Sequence, residues 1–162
     1  MSQTELFSYE NQRVLVVGGA PGMGEAAARL AVNAGARVVV MDRVNVSQPS
    51  VQFISIDLGE RESIDTALEL LNGPVDAVLS CAGVADGVPG IERINFIGHR
   101  YMIDRLLDRG WLPAGSAIGM ISSAAGLGWQ AELSEITEFL AIKNWDDAVK
   151  WVIDHNKANY LF

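Results

Sequence analysis

Hydrophobic residues in this chain fall into two kinds of stretch. Short continuous runs rich in β-branched residues, Arg13–Val17, Arg37–Met41, Val51–Ile56, Val75–Cys81 and Ser116–Ser122, alternate with longer stretches where apolar positions return every three or four residues. The runs predict strands, Arg13–Val17 one buried on both faces, because a strand wetted on one side would alternate with polar residues. The periodic stretches Glu25–Asn33, Glu60–Leu71 and Ile91–Arg109 predict helices, stopped at Gly35, at Asn72-Gly73-Pro74 and at Gly110. Alternation of the two predicts parallel pairing through right-handed crossovers, hence an α/β, doubly wound sheet. Only Arg43–Ser50 separates the second and third runs, too short for a helix with its turns. Beyond the fifth run, Ala131–Lys143 and Asn144–Asn156 predict two successive helices. Their apolar faces carry Leu133, Ile136, Phe139 and Leu140, then Trp145, Ala148, Val149 and Val152.

A length of 162 residues with 49% hydrophobic content suits one domain, residues 1–162, and excludes a disordered chain. Twelve Lys and Arg against 20 Asp and Glu leave a net charge of −8, which argues against nucleic acid or an anionic membrane as partner. The uncharged stretch Trp111–Ala131 is long enough to cross a bilayer, but Pro113, Gly115, Gly119, Gly126, Gly128 and three serines make it a buried strand with its loops. Cys81 stands alone, so no internal disulfide can form, and Met1–Gln12 has no basic, apolar leader. A soluble, cytoplasmic protein is expected.

Between the first strand and first helix lies Val17-Gly18-Gly19-Ala20-Pro21-Gly22-Met23-Gly24. Gly18 can take a backbone angle closed to other residues, Gly22 lets a diphosphate reach main-chain N–H groups, and Gly24 lets the helix pack closely. The helix N-terminus adds unpaired donors and partial positive charge, so the segment from Gly18 through Met23 to Gly24 is a candidate dinucleotide loop. No Lys-Ser or Lys-Thr follows, which speaks against a triphosphatase loop. Asp42 ends the second strand 42 − 24 = 18 positions after the last glycine. A carboxylate there accepts from ribose hydroxyls and repels a 2′-phosphate, favouring NAD over NADP. Arg43 weighs the other way, since it could pair with that phosphate.

With Gly18, Gly22, Gly24, Asp42, Asp57-Leu58, Ala82-Gly83, Asn95 and Ser123 in this order, the chain resembles the short-chain dehydrogenase/reductase family. Within it the chain is most similar to the bacterial 3α-hydroxysteroid dehydrogenase/carbonyl reductase group, through the short link after Asp42, Cys81-Ala82-Gly83, Ile121-Ser122-Ser123 and a helical insert at 127–158. The resemblance implies a Rossmann-type sheet, truncated here after its fifth strand. It implies that Asp57, with Leu58, approaches the adenine, Asp57 having a helix N-cap as its ordinary alternative. Ala82 and Gly83 would line the nicotinamide ribose. Ser80-Cys81 replaces the two asparagines usual before that pair, and Cys81 is read as a small buried side chain.

The implied activity interconverts a secondary or aryl alcohol and its carbonyl, a hydroxysteroid or similar bulky apolar substrate, with NAD. Ser123 would steady the oxygen, Asn95 would hold a relay water through its carbonyl, and Tyr160 would be the base. The family's lysine, four residues after that tyrosine, falls past Phe162. A free tyrosine is only about one part in a thousand phenolate at pH 7, so the lysine matters. The expected reading is the visible part of a longer enzyme, inactive as these 162 residues; the alternative is an inactive dinucleotide-binding module. A homo-oligomer, dimer or tetramer, is expected. The 160 − 123 = 37 positions between Ser123 and Tyr160 bring Trp129, Trp145 and Trp151 near the expected site mouth, either as an apolar substrate wall or as packing. His99 and His155 lack metal-ligand spacing, and no Gly-x-Ser-x-Gly elbow supports a hydrolase.

Overall fold

The computed structural model describes residues 7–46 and 48–157. Five strands, β1 (Arg13–Val17), β2 (Arg37–Asp42), β3 (Val51–Ser55), β4 (Ala77–Ser80) and β5 (Ala117–Met120), form one sheet in the order β3-β2-β1-β4-β5. All pairings are parallel. Helix α1 (Met23–Asn33) covers one face, where Ala28 and Ala31 meet Val14, Val16, Val38 and Val40. On the other face α2 (Arg61–Leu71) and α3 (Gly98–Asp108) pack against Leu15, Val17, Val39 and Met41. Odd and even positions of each central strand thus feed separate layers, as a two-residue side-chain period requires. The doubly wound α/β expectation is met.

The differences lie at element ends and beyond β5. The segment expected as one helix over Ile91–Arg109 contains a π-helical turn, Arg93–Ile97, before α3 begins. Two short 3₁₀ turns, Ala124–Gly126 and Trp129–Glu132, precede α4 (Leu133–Ala141) and α5 (Trp145–Asp154). Phe139 of α4 anchors this pair, with its ring 5.5 Å from Phe96 and 5.1 Å from Trp151. Leu133 and Leu140, expected on the buried face of α4, are exposed, because α5 and the π turn reach only the Phe139 side. Lys157 bonds Glu132 and Glu135 at 2.8 and 2.7 Å, tying the end of α5 to the start of α4. Among the described residues no helix is long and apolar enough to cross a membrane.

Among the described residues strand β5 pairs with β4 alone and is exposed along its length, with Ile118 and Met120 46% and 52% accessible. Their register partners Val78 and Ser80 are buried, so cover stops within one strand. The strand within Trp111–Ala131, expected to be buried, is instead an exposed apolar edge, because among the described residues no further strand or helix covers it.

Candidate functional site

Because the strands are parallel, the segments leaving β1, β2, β3 and β4 emerge at one edge of the sheet. The chain turns outward in opposite directions from β1 and β4, and crevices form at such a switch point. A cleft of about 300 Å³ lies there. Gly18 and Ala20-Pro21 line its middle, Asp42, Arg43, Asp57 and Leu58 one side, and Cys81 through Val84 the other.

Gly18 adopts φ +82°, and a Cβ on it would stand 2.3 Å from the Ala82 nitrogen. A Cβ on Gly24 would stand 1.9 Å from the Gly18 carbonyl, so the helix sits directly on the loop. Gly22, at φ +81°, has open space where its Cβ would project. Among the described residues no side chain caps α1, so the first amides of Met23 and Gly24 have no side-chain partner there. Open space beside uncapped helix amides is what a diphosphate needs, and this part of the site fits a dinucleotide. Gly19 is a fourth constrained glycine that sequence reading passed over: its Cβ would overlap Val40 Cγ1 at 2.5 Å.

Asp42 spans two turns. Its Oδ2 accepts from the Ala20 amide and its Oδ1 from the Val44 amide, both at 2.9 Å. Each carboxylate oxygen keeps a lone pair for a ribose hydroxyl. Arg43 leans away, its Nε 3.7 Å from Asp57 Oδ2. Asp57 does not cap α2, contrary to one expectation: the cap position is Glu60, and Asp57 Oδ1 accepts from the Gly59 amide at 2.9 Å in a local turn. Ile56, Leu58 and Ile94 complete an apolar pocket beside it.

Opposite, Asn95 sits within the π-helical turn, a helix irregularity frequent at functional sites. Its Oδ1 accepts from the Val84 amide at 2.8 Å and its Nδ2 donates to the Val84 carbonyl at 3.0 Å. His99, for which sequence suggested no partner, bonds the Ala82 carbonyl through Nε2 at 3.0 Å. Burial holds its pKa below the usual value, so the ring is neutral. Cys81 is half-buried and its thiol is pushed up by desolvation, away from thiolate character. The Ser80 hydroxyl is buried with no hydrogen-bond partner among the described residues, where the resemblance would set an asparagine.

Ser123 stands just past β5, outside the lining of the cleft, and its Oγ accepts from the Ala125 amide at 3.1 Å. Tyr160 lies outside the described residues. Two of the three tryptophans expected at the site mouth are packing residues: Trp145 stacks edge-on to Tyr101 at 5.6 Å, and Trp151 is buried against Phe139 and His155. Trp129 remains exposed. Missed by sequence reading were Ile56, Val84 and Ile94 on the cleft; their signal was position, just past a strand's carboxyl end or at the start of the facing helix.

Residues 12–132 match the short chain dehydrogenase family. The chain is 28% identical to a coniferyl-alcohol dehydrogenase of a Pseudomonas species over 88% of this chain and 56% of that protein. A short chain dehydrogenase family protein from Francisella tularensis shares the fold with a TM-score of 0.65 at 23% identity, over 86% of this chain and 65% of that one. The Pseudomonas aeruginosa RhlG/NADP complex gives a TM-score of 0.62 at 23% identity, over 75% and 58%. The chain spans between 56% and 65% of the length of these relatives.

Proposed function

The chain belongs to the short-chain dehydrogenase family, and we propose that it is the dinucleotide-binding part of an NAD-dependent oxidoreductase that interconverts an alcohol and its carbonyl. The observation that carries this reading is the cleft at the switch point, with Asp42 at one side, Gly18 and Ala20-Pro21 at its middle and Ala82-Gly83 at the other, the loop at its middle leading directly into the uncapped start of α1. Bound there, the nicotinamide would supply a hydride acceptor. Amides at Gly22–Gly24 would hold the diphosphate, Asp42 the adenosine ribose, and Asp57 with Leu58 the adenine side. Asn95 has committed its side chain to Val84, so its share in a proton relay would fall to its main-chain carbonyl. Ser123 uses a lone pair on Ala125 and keeps its O–H to donate to a developing oxyanion. Tyr160 is the proposed base.

Two features support NAD over NADP. Asp42 would repel a 2′-phosphate, and Arg43, the cation that follows it in the chain, is turned towards Asp57. A bulky apolar alcohol, such as a hydroxysteroid or aryl alcohol, is supported by the exposed Leu127 and Trp129 beyond Ser123. The name of the Pseudomonas relative supports an alcohol as substrate class. A cytoplasmic, single-domain, homo-oligomeric protein completes the reading. Fluorescence titration with NADH and NADPH tests it. NADH should bind at least about tenfold tighter, equivalent to ~1.4 kcal/mol. Tighter NADPH binding overturns the choice of cofactor, and no binding of either overturns the site.

A further inference from the structure

Resting on the dinucleotide reading above, we propose that His99 is a positioning residue for the cofactor: by gripping the Ala82 carbonyl, it sets how the main chain of residues 82–84 meets the nicotinamide half.

His99 is 2% exposed, and its Nε2 lies 3.0 Å from the Ala82 oxygen. A carbonyl can only accept, so that nitrogen carries the ring's proton. The other nitrogen, Nδ1, is then a bare acceptor, buried and without a partner among the described residues. A leucine would pack in this core with no orphaned acceptor, so the ring is held here at a cost in stability. Costs of that kind belong to positions that serve something other than packing. What the ring touches is a wall of the cleft.

Ala82 is fixed from its other side as well. Its amide donates to the Val17 carbonyl at 2.9 Å, and Gly18 comes so near that any Cβ there would overlap the Ala82 nitrogen. Asn95, one turn before His99, holds both the N–H and the C=O of Val84. One helical segment therefore grips residues 82 and 84 and leaves Gly83 between them, lining the cleft. The adjoining residue, Gly98, seats that segment against the opposite wall, since a Cβ on it would stand 2.2 Å from the Leu58 carbonyl. Adenosine and nicotinamide walls thus share one reference, and His99 is the contact that spaces the second from the first.

Binding of two probes separates this role from plain packing. AMP reaches the Asp42 side alone, whereas NADH spans both. His99→Phe keeps ring volume without a donor. We expect it to weaken NADH by about tenfold, the loss of one buried hydrogen bond, while AMP affinity stays unchanged. His99→Gln, which retains a donor, should recover most of the NADH affinity. Unchanged NADH binding in His99→Phe overturns the proposal, and so does an equal loss for both probes. If the unaltered chain binds AMP and NADH to no extent, the dinucleotide reading itself has failed. Should His99→Phe not fold, ¹⁵N spectra of the unaltered protein decide: the His99 ring signals, identified against His155→Asn, should shift with NADH and not with AMP. Ring signals indifferent to NADH overturn it.

Discussion

Gly24 and Gly126 are the same residue under opposite constraints. A methyl group at Gly24 meets backbone at 1.9 Å, whereas at Gly126 it meets nothing within 4 Å. Gly24→Ala should therefore destabilise by about 3 kcal/mol or more, since backbone cannot yield as a side-chain tip can. Gly126→Ala should leave the thermal midpoint unchanged or slightly raised; calorimetry on both variants checks the contrast. Asp42→Ala removes a charged acceptor from Ala20 and from the proposed ribose. NADH affinity should fall by roughly ten- to a hundredfold on the energy of charged hydrogen bonds, and the preference for NADH over NADPH should shrink. His99 adds a pH dependence. Burial lowers its folded pKa, while the unfolded ring titrates near about 6.5. Below that pH the unfolded chain takes a proton that the folded chain refuses, so stability falls as pH falls, by up to ~1.4 kcal/mol per unit, and is flat above it. Urea unfolding at several pH values should show this component in the unaltered protein and not in His99→Gln. The glycine loop and Asp42 were readable from sequence because they act through their own backbone and immediate neighbours. The partner of His99 was not, because it lies 17 positions away.

Helices and strands were legible in kind and less so at their ends. The interiors of β1 and β2 are apolar throughout, and the sheet buries them on both sides. The π-helical turn at Arg93–Ile97 left no mark in the apolar spacing, since one extra residue in a turn shifts the pattern by less than natural variation does. The start of α5, by contrast, was legible at Asn144, whose Oδ1 accepts from the Asp146 and Asp147 amides at 2.9 and 3.2 Å. Asn144→Ala should cost about 1 kcal/mol and lower the thermal midpoint by roughly 2–4 °C, with NADH affinity unchanged because α5 lies away from the cleft. A scanning calorimeter and the fluorescence titration together check both halves of that expectation.

The molecule as a unit has one well-covered side and one open one. Helices close both faces of the sheet around β1 and β2, but β5 ends the described sheet with exposed Ile118, Met120 and Ile121. An apolar edge strand with free backbone donors and acceptors invites pairing between chains. The 162-residue chain alone should therefore sediment as larger species as its concentration rises, and Ile118→Lys with Met120→Lys should shift it towards monomer. From residue order one could read the alternating elements, the glycine loop after β1, the acid at the end of β2 and the place of Ala82-Gly83 on the cleft. The alternation, the glycine loop and the acid follow from local conformation plus the rule that parallel strands deliver their carboxyl ends to one edge, whereas the Ala82-Gly83 position came from the family resemblance. Folding in three dimensions decided the rest: Trp145 and Trp151 as packing, Leu133 and Leu140 left in water, Arg43 drawn to Asp57, and His99 set under Ala82. Those outcomes turn on distances between residues remote in sequence, and such distances exist only once the layers have packed.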